Sequence, residues 1–292
     1  MNNILVVGSE GQLGSEIYSL KDEFPQFNYF FVSKNELDII EKEQISKFVS
    51  LNSVNTIVNC AAYTNVEMAE ENSSQADLVN YIGVKNLGEV SKENGISLWH
   101  LSTDYVFDGD SGKDYSENAI PNPINAYGVS KLKGEQVLLE IAPDNSVIIR
   151  TSWLYSSFGS NFCKTMLRLS KEKESITVVN DQFGTPTYAK DLAKCILENI
   201  VNTKHTGVKL YHFSNEGSCS WFGFAAEIMK ISGSNCRVLP VASTAYKTKA
   251  VRPKRSVLNT SLIKKELGVS INDWQKSLKE CLVEIKKHKK KV

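Results

Sequence analysis

The first 150 residues alternate between short, continuously apolar runs and helical patterns, and this rhythm restricts the fold more than any other feature. Ile4-Leu5-Val6-Val7, Tyr29-Phe30-Phe31-Val32, Thr56-Ile57-Val58-Asn59, Ser97 to Leu101 and Val147 to Arg150 read as five buried strands. The spacing between them predicts helices after Gly11, near 43–51, over about 74–93 and over about 126–140. In the third of these, Leu78, Ile82, Leu87 and Val90 form an apolar face. Strands without polar alternation, separated by helices, mean a parallel sheet covered on both faces. The expected fold is α/β, a Rossmann-type doubly wound parallel sheet with a smaller, discontinuous α/β lobe. Ligands of such sheets bind at the carboxyl ends of the strands. Gly14, Ala61, Thr103 and Thr151 lie at or just after such ends.

After Thr151 the rhythm changes. Helical patterns at about 161–172, 188–202, 220–231 and 273–287 are interrupted by strands at 176–179 and 209–213 and by turns such as Asp181 to Pro186. The expected division is 1–150 as the first domain, with segments around 181–213 returning to it, and 151–292 mainly as the second lobe.

The chain of 292 residues has 34 basic and 33 acidic residues, for a net charge of +1. Nothing in that balance argues for nucleic acid or an acidic tail as a partner. The six cysteines have no metal-clip spacing. No secretory pattern opens the chain, and no run approaches the roughly 18 apolar residues of a membrane span. A soluble, reduced, cytoplasmic protein is expected. The basic end, Lys286 to Lys291 around His288, reads as a solvated helix end rather than a membrane anchor.

Gly8, Gly11 and Gly14 follow the first strand and open a helix. Glycine permits the turn and the approach of a diphosphate, and the helix N-terminus adds free N–H groups. The spacing is GxxGxxG, not the GxGxxG of the usual dinucleotide fingerprint. The second strand ends Val32-Ser33-Lys34, where an NAD site would place an acid for the ribose. A hydroxyl and a cation there favour NADPH, with NADH as the alternative. Asp38 contacts the adenosine half or caps a turn. Ala61 and Ala62, after the third strand, leave room for a cofactor to cross the strand ends. Asn80 either bridges to a lysine through water or bonds to backbone.

Tyr127 and Lys131 are four residues apart on a predicted helix and share a face. A phenol with a pKa near 10 is a poor proton donor or acceptor at neutral pH, and a neighbouring ammonium makes its ionisation easier. Thr103, ending the fourth strand, can bond to a carbonyl oxygen that Tyr127 then protonates. Together the three point to reduction of a carbonyl.

These residues carry a resemblance. The chain resembles the extended short-chain dehydrogenase/reductases, and within them the dTDP-4-dehydrorhamnose reductases. Gly8 to Gly14 as GSEGQLG, Leu37-Asp38-Ile39, Asn59 to Thr64, Leu101 to Gly109 around STDYVFDG, Tyr127 to Lys131, Arg150 to Tyr155 as RTSWLY, Asn161-Phe162 and Asp181 to Pro186 all follow that pattern. The resemblance implies an NADPH-dependent enzyme reducing the 4-keto group of dTDP-4-dehydro-β-L-rhamnose. Its cofactor residues would be Gly8, Gly11, Gln12, Leu13, Ser33, Lys34, Asp38, Ile39, Ala61, Ala62, Tyr63, Tyr127 and Lys131. Its catalytic residues would be Thr103, Tyr127 and Lys131. Thr103, Asp104, Tyr105, Val106, Trp153, Asn161 and Gln182 would meet the nucleotide sugar. The first domain would be the NAD(P)-binding one and the second lobe the sugar-binding one, in a monomer or homodimer.

One departure concerns a magnesium site that some members build from glutamates. Glu16 fits its first position, but Lys190 stands where another acid is expected, so no metal is expected. Two other functions stand as alternatives: a related reductase with a different 6-deoxysugar product, which these motifs do not separate, and a non-catalytic regulatory subunit of methionine adenosyltransferase, which uses the same fold. Intact Thr103, Tyr127 and Lys131 argue against the latter.

Overall fold

The computed structural model describes residues 2–290. Of the lysine-rich end, Lys291 and the side chains of Lys289 and Lys290 lie outside the described residues. Five of the strands are β1 (Asn2–Val7), β2 (Phe27–Val32), β3 (Thr56–Asn59), β4 (Ser97–Thr103) and β5 (Ser146–Thr151). With the Val208–His212 strand they form one six-stranded sheet, parallel throughout. From one edge the order is β2, β1, β3, β4, β5 and Val208–His212. The fold class is the expected doubly wound α/β sheet.

The helices of the first half are α1 (Gln12–Leu20), α2 (Lys42–Leu51), α3 (Val66–Glu71), α4 (Ser73–Asp77), α5 (Gly83–Asn94) and α6 (Ala126–Ile141). The second half adds α7 (Phe162–Glu172), α8 (Ala189–Asn199), α9 (Trp221–Ser232), α10 (Ser261–Leu267) and α11 (Trp274–Lys290). Apolar side chains cover both sheet faces. Ile4, Val6, Val58 and Trp99 pack with α1 and α8 on one face. Leu5, Val7, Ile57 and Leu98 pack with α2 and α5 on the other. This two-sided burial is why these strands show no polar alternation.

A third core joins α7, α9 and α11 through Cys163, Met166, Phe224, Ile228, Leu278 and Leu282. Beside it the Ser175–Val179 strand pairs in parallel with Arg237–Val241.

One local feature differs from the expected pattern. Leu78–Ile82 forms a π turn between α4 and α5. The wider turn breaks the 3.6-residue period, so Leu78 is exposed and Asn80 is buried instead. As a doubly wound sheet requires, the strand order reverses between β1 and β3, and the loops after their carboxyl ends diverge into a crevice.

Candidate active site

At that crevice Gly8 has φ of +72°, and a Cβ on it would lie 2.6 Å from the Ala61 backbone nitrogen. Only glycine fits this crossing of the β1 and β3 ends. A groove continues from Gly8 to the end of β2, lined by Ser33, Lys34, Asp38, Ile39, Ala61 and Tyr63. It shares Gly11, Cys60 and Ala62 with a larger cleft of about 510 Å³. That cleft contains Gln12, Leu13, Thr103, Asp104, Tyr105, Tyr127, Lys131 and Trp153. Four strand spacings of ~4.8 Å separate β2 from β5, so about 19 Å of the sheet's carboxyl end carries one continuous trough.

Near β2, Lys34 lies 3.8 Å from Asp38 and projects into solvent. The Ser33 hydroxyl and backbone N–H both donate to Glu36, at 2.9 and 2.7 Å. These bonds hold the Glu36 carboxyl below its usual range. Glu36 caps this turn and was not singled out in the sequence. Asn80 does bond to backbone: its side chain grips both the N–H and the carbonyl of Tyr63, and donates to Ser130 on α6. It therefore fixes the loop after β3 against the helix that carries Tyr127.

Helix α6 begins at the cleft because Asn125 caps it, accepting the Gly128 N–H at 2.8 Å. Tyr127 is then in its first turn and Lys131 one turn further, both facing the cleft. Burial pushes the Tyr127 phenol up to about 12, with Thr103 favouring the phenolate and Asp104 opposing it. Lys131 is buried, donates to the Leu101 carbonyl, and is pushed down to about 8 by burial against the pull of Glu135. Thr103 donates to Asp104 at 3.1 Å and accepts the Tyr105 N–H at 3.2 Å. The Tyr105 ring meets the Tyr127 ring edge-on at 5.8 Å. Glu135 holds Arg150 through two bonds of 2.9 and 2.6 Å and also accepts from Ser102.

Trp153 has φ of +46° and packs where any Cβ on Gly184 would clash. Its ring stacks on Trp221, an aromatic that the sequence reading missed although Ser220 marks the start of its helix. Three expected residues lie elsewhere. Val106 is wholly buried with Phe107, Tyr115 and Leu258. Asn161 caps α7 and donates to the Gln12 side chain at 2.9 Å, so it touches the cleft through Gln12. Gln182 lines neither the groove nor the cleft.

Among the described residues no group of three or more His, Cys, Asp or Glu side chains is placed to hold a metal ion. Glu16 is buried, accepts from Ser156 at 2.5 Å, and feels the positive charge of Lys190. Those surroundings do not suit a divalent cation.

A parallel doubly wound sheet, a glycine crossing at its switch point, and a Thr–Tyr–Lys set on the adjoining cleft define an oxidoreductase of the extended short-chain dehydrogenase/reductase class. The model of the RmlD substrate binding domain family matches residues 1–287, and the chain belongs to that family. It is 37% identical to the dTDP-4-dehydrorhamnose reductase of Aggregatibacter actinomycetemcomitans, over 96% of this chain and 98% of that one. The dTDP-4-keto-6-deoxy-D-glucose reductase of Streptomyces niveus is 36% identical over 95% of each chain. The solved structure of the Bacillus anthracis dTDP-4-dehydrorhamnose reductase in complex with NADP superposes with a TM-score of 0.92 at 38% identity, covering 97% of this chain and 100% of that one.

Proposed function

We propose that the protein reduces the 4-keto group of dTDP-4-dehydro-β-L-rhamnose to give dTDP-β-L-rhamnose, with NADPH, in the synthesis of cell-surface polysaccharide. The observation that carries this is the opening of Thr103, Tyr127, Lys131 and Trp153 on one cleft that runs into the Gly8 groove. The groove suits a dinucleotide: its glycine crossing admits a diphosphate, and Lys34 offers a cation for a 2′-phosphate. When bound there, NADPH supplies the hydride.

The remaining chemistry belongs to the chain. The Thr103 hydroxyl orients the keto oxygen. Tyr127, fully protonated at neutral pH, gives its proton to that oxygen as negative charge develops on it. An alkoxide is much more basic than a phenolate, so this transfer runs downhill even from a phenol at about 12. Lys131 supports Tyr127 and the ribose. Asp104 and Tyr105 shape the sugar pocket around Trp153, and Asn161 acts by holding Gln12. Residues 1–150, with segments around 181–213, form the cofactor domain, and 151–292 mainly form the nucleotide-sugar lobe. No described helix is long and apolar enough to cross a membrane. The enzyme works in the cytoplasm as a monomer or homodimer, without nucleic acid or membrane.

The Streptomyces niveus relative favours a second reading, a related dTDP-4-keto-6-deoxysugar reductase that gives another product. Incubation with NADPH and enzymatically prepared dTDP-4-dehydrorhamnose, followed by NMR of the product, separates the two. A rhamnosyl product is expected. A product epimeric at C4 supports the second reading, and slower oxidation of NADH than of NADPH supports the role of Lys34.

A further inference from the structure

His100 lies in β4 with no exposed surface, behind Lys131. Its Nε2 is 3.4 Å from the Lys131 Nζ, and its Nδ1 is 3.0 Å from the Asn59 amide nitrogen. Asn59 is also wholly buried. It cannot be turned round, because its Oδ1 accepts the Ala61 backbone N–H at 3.0 Å and a backbone N–H only donates. The Asn59 amide nitrogen must therefore donate to His100, and Nδ1 must accept. A doubly protonated ring would set N–H against N–H, so the ring is neutral and carries its hydrogen on Nε2. That hydrogen points at Lys131. Two donors 3.4 Å apart repel, whereas an N–H facing an amine lone pair does not.

We propose that Asn59 and His100 form a positioning pair for Lys131, in which Asn59 locks the imidazole as the Nε2–H tautomer and that N–H favours the amine over the ammonium. The proposal rests on the reductase reading only for its kinetic consequence. A lysine that holds its proton loosely near the operating pH exchanges it readily with its surroundings and supports a phenol that must be reprotonated each turnover.

The other groups facing Lys131 have different effects. Glu135, on α6, favours the ammonium, but its carboxylate is shared with Arg150 of β5 and Ser102 of β4. Tyr127 on α6 and Cys60 after β3 are pushed up by burial and carry no charge near neutrality. Asp104, after β4, is raised to about 7 by burial and bonds to Thr103 and Ser256. None of these explains why the amide of Asn59 and the ring of His100 are aligned behind the lysine.

The first test needs no substrate. In protein labelled with 15N-histidine, His100, one of four histidines, should show a bare Nδ1 and a protonated Nε2 that do not titrate across the neutral range. In His100→Gln the alkaline limb of kcat/KM should move up by about one pH unit, and the Lys131 Cε titration in the substrate-free protein should move with it. A protonated Nδ1 in the wild type would overturn the proposal. So would a His100→Gln enzyme that loses rate equally at every pH, as a purely structural role requires. If His100→Gln does not fold, the wild-type nitrogen spectrum decides. A wild type without turnover would count against the reductase reading, and the nitrogen spectrum would still decide this proposal.

Discussion

The indole of Trp153 lies face to face with that of Trp221, with ring centroids 3.5 Å apart and planes 8° from parallel. Trp221 also touches Phe162, at 4.7 Å, so the pair is anchored on α7 and α9 while both rings face the cleft. Trp153 also packs closely against Gly184, where any side chain would collide with its ring. An aromatic wall so fixed offers a flat apolar surface to a sugar ring without first having to be ordered. Trp221→Ala should raise KM for the nucleotide sugar roughly tenfold, as loss of an aromatic pair and its buried area implies. KM for NADPH should stay within about twofold, because Trp221 lines the cleft and not the Gly8 groove. Steady-state kinetics with each substrate varied in turn checks this.

Arg150 and Glu135 form a two-bond ion pair with side chains only 4% and 1% exposed. The pair ties α6 to β5, and the Ser102 bond adds β4. Glu135→Gln leaves the buried guanidinium without its counter-charge. Loss of one partner of such a pair costs about 3–5 kcal/mol. A fall in Tm on the order of 10 °C is expected for a chain of this size, measured by calorimetry. An unchanged Tm would mean that the pair contributes little.

Asp104 is buried between Thr103 and Ser256, and burial raises its carboxyl from 3.8 to about 7. Between these two values the unfolded chain has released the proton and the folded chain has kept it. The folded state then binds more protons, so this group's contribution to stability falls as pH rises through that window. Asp104→Asn imitates the protonated form and escapes the loss. The Tm of the variant minus that of the wild type should therefore increase from pH 4 to pH 8. A difference that is flat with pH would show that Asp104 ionises in the fold as it does in the unfolded chain.

The five main strands could be read because burial on both faces removes polar alternation, leaving runs such as Ile4 to Val7. Tyr127 and Lys131 could be read because helical spacing alone sets them on one face. What escaped the sequence depended on distant partners. The strand Arg237–Val241 pairs with Ser175–Val179 across about sixty residues, and Pro240 within its short apolar run Val238 to Val241 speaks against a strand. The π turn at Leu78–Ile82 left no local mark, so Leu78 was expected inside and Asn80 had two open roles. His100 looked like one more residue of a buried strand, since nothing local reveals that Lys131 and Asn59 lie on either side of its ring. Trp221 became visible only once α9 was folded against Trp153.

In the proposed reaction Tyr127 donates the proton that completes reduction of the keto sugar. Tyr127→Phe keeps the ring, and with it the edge-on contact to Tyr105, but removes the hydroxyl. NADPH oxidation by the purified variant with dTDP-4-dehydrorhamnose tests this most directly, with circular dichroism and NADPH affinity as controls for folding. Loss of a positioned proton donor should lower kcat by roughly 10²- to 10⁴-fold with NADPH affinity retained. A Tyr127→Phe protein that oxidised NADPH at the wild-type rate would contradict the mechanism.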